Sequence, residues 1–192
     1  MFGSSSCGER DSTAGNRYRY VMVIFADFSC PYSYAMSERL RGLEDRLEWR
    51  LVEHAPDAAV PMAGKADRRE LDEVRACAPE IELNPPAGLP NSGLASRVFA
   101  ALPPERRIDF LHGVYRALWV EGRDISSPEL IDQLAGGHVE PRPTNWQREW
   151  EALGIGVPAI IREDGERCMG IVSAEDVQRF LQGEGAGLVG VY

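Results

Sequence analysis

Apolar residues in this chain fall into short runs separated by charged, polar and proline-rich stretches. Tyr18 to Ala26 is dense in Tyr, Val, Ile and Phe, with two consecutive apolar stretches, and reads as a buried central strand. Tyr32 to Arg46 places Tyr34, Ala35, Leu40 and Leu43 at helical spacing. Trp49 to His54 reads as a second strand, ended by Pro56. Strand, helix, strand in this order is a βαβ unit whose strands run parallel.

From Pro61 to Pro143 the pattern turns helical. A charged helix over Asp67 to Ala78 closes at Pro79, and Glu80 to Pro90 is a loop. Asn91-Ser92 caps a helix that runs to Leu102 and stops at Pro103. Glu105 to Glu121 is the clearest helix, with Ile108, Leu111, His112, Tyr115, Leu118 and Trp119 at three- and four-residue steps and Gly122 as its stop. Ser126 or Ser127 caps a short helix over Pro128 to Leu134.

Asn145 to Leu153 is a further helix, leading into Gly156-Val157-Pro158. Ala159 to Arg162 and Arg167 to Val172 read as a hairpin about Asp164-Gly165. Ser173 caps a last helix, Ala174 to Gln182. Gly183 to Tyr192 is either a tail or an arm that docks by Leu188, Val189, Val191 and Tyr192. The order β-α-β, helical block, α-β-β-α predicts an α/β protein with one mixed sheet, a thioredoxin fold with an inserted all-helical domain. The expected boundaries are a disordered tail over 1–17, a thioredoxin-like domain from 18–60 and 145–182, a helical insertion over 61–144, and a C-terminal tail over 183–192.

The charge balance, 21 basic against 30 acidic residues for a net −9, argues against nucleic acid and anionic membranes as partners. No apolar run approaches the roughly 18 residues needed to span a bilayer, and the polar, Ser/Gly-rich start lacks the apolar core of a signal peptide. A cytoplasmic location with reduced cysteines is therefore expected. Cys7, Cys30, Cys77 and Cys168 show no metal-like pairing, and His54, His112 and His138 are scattered, so no metal site is expected.

The chemistry concentrates at Cys30-Pro31-Tyr32-Ser33, at a strand-to-helix junction. A cysteine there lies near the positive end of the helix dipole and its free N–H groups, which favour the nucleophilic thiolate. Proline at the next position suits a first helical residue. Ser33 stands where a second cysteine would complete a Cys-x-x-Cys pair, so a mixed disulfide at Cys30 needs an external thiol for its release. Cys168 is the one internal candidate for that role. Cys77 and Cys7 read as incidental.

Asp27-Phe28-Ser29-Cys30-Pro31-Tyr32-Ser33-Tyr34 resembles the Cys-Pro-x-Cys stretch of DsbA-type disulfide oxidoreductases. It is also similar to the Asp-Phe-x-Ser-Pro-Tyr-Ser-Tyr stretch of 2-hydroxychromene-2-carboxylate isomerases and kappa-class glutathione transferases. Val114 to Ser126 resembles the end of the helical insertion in that branch, which also holds FrnE-like oxidoreductases. Pro90-Asn91-Ser92 resembles the start of an insertion helix there, and Gly156-Val157-Pro158 resembles the cis-proline loop of thioredoxin folds. Cys30 matches the oxidoreductases and Ser33 the isomerases.

The resemblance implies that Cys30 and Ser33 are catalytic. It also implies that Tyr32, Val157, Pro158 and Trp119 meet substrate, and that Ser173 and Asp176 stand in, without being contiguous, for the Ser-Asp pair that holds glutathione. Three functions stay open: thiol–disulfide exchange through one cysteine with glutathione as the resolving thiol, glutathione-dependent isomerisation or transfer, and a non-catalytic binding or redox-sensing module. The expected partners are glutathione and a small-molecule thiol or disulfide, with a homodimer as an open option.

Overall fold

A computed structural model describes residues 22–65 and 67–191. The expected tail, Cys7, the first residues of the first strand and Tyr192 lie outside the described residues. The sheet has the order β2-β1-β3-β4-β5. Its strands are β1 (Met22–Ala26), β2 (Leu47–Leu51), β3 (Ala159–Ile161), β4 (Arg167–Met169) and β5 (Leu188–Val189). β1 pairs parallel with β2 and antiparallel with β3, and β4 pairs antiparallel with β3. A βαβ half and a ββα half therefore share one mixed sheet, joined through β1 and β3.

α1 (Pro31–Arg39) connects β1 to β2. It is shorter than the apolar spacing predicts. The Leu40 N–H turns back onto the Met36 and Ser37 carbonyls, and Gly42 then takes a left-handed φ of 81°. A 3-10 turn at Glu44–Arg46 precedes β2. β2 itself starts two residues earlier than expected and ends at Leu51, leaving His54 outside the ladder.

The helical block contains α2 (Arg68–Cys77), α3 (Gly93–Ala101), α4 (Pro104–Trp119) and α5 (Pro128–Leu134). Local signals set these ends. The Asp67 carboxylate accepts the Arg69 N–H, the Ser127 hydroxyl accepts the Leu130 N–H, and Pro104 and Pro128 occupy first-turn positions. Ser92 precedes α3 without capping it by its side chain; Asn91 Oδ1 accepts the Gly93 N–H instead. Arg123 and Asp124 do not pair with each other. Arg123 lies beside Glu121, while Asp124 accepts from the Met62 and Ser126 N–H groups and the Ser126 hydroxyl.

α6 (Trp146–Leu153) and α7 (Ala174–Leu181) complete the helices of the described residues. β4 stops short of the expected Val172 because Gly170 takes φ 71°, and a Cβ there would meet the Val191 carbonyl oxygen at 2.4 Å. Ile171 then bridges to Val191, and β5 pairs parallel with β4. The glycine-rich end is thus a docked arm and not a tail. Gly170→Ala is expected to cost about 1–2 kcal/mol from the left-handed backbone alone. Thermal unfolding and proteolytic release of the last residues measure it, and an unchanged melting temperature with an intact C-terminus would contradict the close packing.

Strand side chains alternate between faces, and the core divides accordingly. Met22, Ile24 and Ala26 join the larger cluster with Ile160, Cys168 and most buried residues of α3, α4 and α7. Phe25 joins the smaller cluster with Cys30, Tyr32, Val52, Val74, Ala78, Val157 and Ile171. Phe28, just past β1, docks the insertion on the sheet. Its ring packs edge-on against Phe99 (6.5 Å), Phe110 (6.4 Å) and Tyr115 (5.1 Å).

Candidate functional site

Cys30 is the residue immediately before α1, with extended backbone angles and Pro31 inside the first turn. Its carbonyl accepts the Tyr34 N–H and its N–H donates to the Asp27 carbonyl, which fixes the turn. The Val157–Pro158 peptide bond is cis, and the Cys30 thiol donates to the Val157 carbonyl at 3.5 Å. The structure therefore brings together Cys30, Ser33, Val157 and the Pro158 loop. Ser33 is buried; its Oγ accepts the Asp27 N–H at 3.3 Å and lies within bonding reach of the Cys30 sulfur.

The electrostatics differ from the dipole argument. Cys30 is only 4% exposed, and burial pushes its thiol up to about 12. Bonding to Ser33 pulls the other way, while the Asp27 charge adds to the rise. Desolvation disfavours a thiolate more strongly here than the helix terminus favours it. In this state Cys30 is a thiol.

Several expected contacts have other roles. Tyr32 is buried, with its hydroxyl on the Glu73 carboxylate at 2.5 Å, so it ties α1 to α2 and is not an exposed member of the motif. Trp119 is core. Its indole stacks on Tyr34 at 6.1 Å and donates to the Phe28 carbonyl at 2.9 Å. Its edge reaches only a recess of about 20 Å³ beside Ser29 and Pro31, room for a single water. Ser173 and Asp176 cap α7 reciprocally: the Ser173 hydroxyl accepts the Asp176 N–H and donates to its carboxylate. No hydrogen bond among the described residues joins them to Cys30. Cys168 lies in the cluster on the opposite face of the sheet from Cys30, which removes it as a resolving partner. Among the described residues, no group of three or more His, Cys, Asp or Glu has metal-binding geometry, and no helix is long and apolar enough to cross a membrane.

A pair that sequence spacing does not reveal sits in the same turn. Asp27 is fully buried, one residue past β1, and its carboxylate is the hub of the site. It accepts from the His54 N–H (2.7 Å), His54 Nδ1 (2.7 Å), the Ser29 N–H (2.8 Å) and the Ser29 hydroxyl (3.0 Å), with Ser92 also bonding to it. Burial alone would raise the Asp27 carboxyl, but the His54 bond and charge and the Ser92 bond hold it below its usual range. Burial likewise works against a charged His54, but the Asp27 bond and charge outweigh it and lift the imidazole above its usual range. The signal that could have found this pair is positional. β1 and β2 are parallel, with Ala26 opposite Leu51, so residues just past both strands meet at one edge. That edge, at the carboxyl ends of parallel strands, is where ligands bind in open α/β sheets.

No protein-family model matches the chain, and no curated protein matches it. Solved structures do. A probable DsbA oxidoreductase from Streptomyces coelicolor is 19% identical, with 88% of this chain and 93% of that chain covered at a TM-score of 0.64. A 2-hydroxychromene-2-carboxylate isomerase is also 19% identical, with 85% and 93% covered at a TM-score of 0.59. Identities this low speak to fold and leave the reaction open. The chain has the thioredoxin fold of these DsbA-like structures, carrying a helical insertion between its two halves.

Proposed function

We propose that this protein is a thiol–disulfide oxidoreductase working through one cysteine, Cys30, with glutathione as the thiol that resolves its mixed disulfide. The observation that carries the reading is the placement of the Cys30 sulfur at the start of α1, against the Val157 carbonyl of the Pro158 loop. A sulfur at a helix N-terminus beside an extended loop meets a disulfide substrate in line, and the departing thiolate of Cys30 faces the free N–H groups of the first turn. Ser33 supplies a hydroxyl to that thiolate but no second sulfur, so release falls to an external thiol. The site is closed at rest, and the covering side chains must yield for a disulfide to reach the sulfur.

The experiment is incubation of the reduced protein with glutathione disulfide, followed by peptide mass spectrometry of every cysteine. Modification confined to Cys30, reversed by reduced glutathione and absent in Cys30→Ser, is the expected result. A Cys30 that stays free while Cys77 reacts would overturn it. The burial of Cys30 favours a second reading, in which glutathione binds non-covalently, its own sulfur is the nucleophile and Cys30 and Ser33 only polarise it. That reading predicts protection of the site by glutathione with no mixed disulfide.

A further inference from the structure

The Asp27–His54 pair is not used by exchange through Cys30 alone, yet its geometry is that of a proton-transfer dyad. The buried Asp27 carboxylate holds His54 Nδ1 at 2.7 Å, which fixes the N–H on that nitrogen and leaves Nε2 as the working atom. Nε2 has no partner among the described residues, and the side chain is 32% exposed. The ring is held at Nδ1, and the same carboxylate also takes the His54 backbone N–H. The dyad shares its turn with the sulfur. Asp27 accepts the Cys30 N–H through its carbonyl, and the Ser29 hydroxyl lies 3.0 Å from the carboxylate and 3.5 Å from Nδ1.

We propose that His54 is the acid–base residue of this site, taking the proton from the incoming thiol at Nε2 while Asp27 holds it in place. This rests on the exchange reading. In the resolving step a thiol R–SH gives its proton to His54 Nε2. The thiolate attacks the substrate sulfur of the Cys30 mixed disulfide, forming R–S–S–R′ as the bond to Cys30 Sγ breaks. Cys30 leaves as thiolate and takes the proton back from the imidazolium. The incoming thiol is oxidised, Cys30 is reduced, and no further oxidant or reductant is needed. A Cys30 thiolate is costly in its buried setting, and return of the proton from the imidazolium ends its lifetime.

The charged groups acting on the ring are Asp27 and Glu70 of α2; Glu53, paired with Arg97, is coupled to Asp27. Cys30 and Tyr115 complete the surroundings of Asp27.

The test isolates the resolving step. Cys30 is loaded with methyl methanethiosulfonate, and release by reduced glutathione is followed by mass from pH 5 to 9 in the full chain, His54→Gln and His54→Asn. Both variants keep the backbone N–H on Asp27, and circular dichroism checks the fold. Loss of about a hundredfold in release at pH 7 is expected, at the lower end of what acid–base catalysis contributes. The low-pH limb should vanish, leaving only the titration of glutathione itself, and added imidazole should restore rate. Equal rates and profiles would overturn the assignment. Slow release with an unchanged pH profile and no imidazole rescue would overturn it too, because it would mark His54 as merely structural. Failure of the exchange reading is distinct: native Cys30 would be inert to glutathione disulfide, while release of the methylthio group still depended on His54.

Discussion

Asp27→Ala is expected to destabilise the protein by about 3–5 kcal/mol, the range for removing one partner from a buried charged pair. The mutation strands the His54 N–H, the Ser29 N–H and the Ser29 hydroxyl in a site with little water, and it uncouples three chain segments. Asp27 follows β1, His54 follows β2, and Ser92 opens α3, so one carboxylate ties both parallel strands to the insertion. Equilibrium unfolding in urea measures the loss, and a cost below about 1 kcal/mol would mean that these donors find other partners.

The effect depends on pH. His54 is raised above 6.5 in the folded state, so its contribution is full below that value and falls as pH rises through the raised folded value. Asp27 is lowered below 3.8, so its contribution is full above 3.8 and is lost as pH falls through the depressed folded value. The stability gap between wild type and variant should therefore be widest between 3.8 and 6.5 and narrow on both sides. On the alkaline side the narrowing is partial, because a neutral imidazole still donates Nδ1–H to Asp27. A gap independent of pH would show that the pair does not titrate with folding.

Phe28→Ala should cost about 3–5 kcal/mol, as for other large buried aromatics. Its ring is fully buried among Phe99, Phe110 and Tyr115, three rings of the insertion, while its own backbone belongs to the turn between β1 and Cys30. The cavity would thus open at the seam between insertion and sheet. Hydrogen exchange should quicken along α3 and α4 before the β1–β2 pair loosens. A loss under about 1.5 kcal/mol, or uniform acceleration, would show that the seam does not depend on this ring.

The elements with strong end signals were legible from the sequence. α5 falls where Ser127, Pro128 and Glu129 place it, and α2 where Asp67 caps it. The structure departs from the local pattern where tertiary contacts override it. Gly170 looks like an interruption in an apolar run, but its conformation serves a strand that returns twenty residues later. Cys30 stands at the helix start that its motif predicts, yet burial opposes the thiolate that the dipole alone would favour, because the dipole is a local property and burial is not. His54 carried no signal of its own. A single histidine after a strand is unremarkable until parallel pairing sets it against the aspartate that ends the strand before. Trp119 followed the opposite course: its helical spacing fitted core as well as cleft, and stacking on Tyr34 makes it core.

The strand order has a consequence for the chain as it is made. β1 needs β3 on its second side, and roughly a hundred residues separate β3 from the β2 strand that closes its first. At ribosomal speeds of about 5–20 residues per second, that edge stays open for roughly 5–20 seconds. Met22 to Ala26 then offers an apolar, unpaired strand to any passing chain. The helices that emerge during this interval include α4, whose Tyr115 and Trp119 bind the carbonyls of Asp27 and Phe28. Those bonds fix the turn after β1 while the strand's second edge still waits for β3.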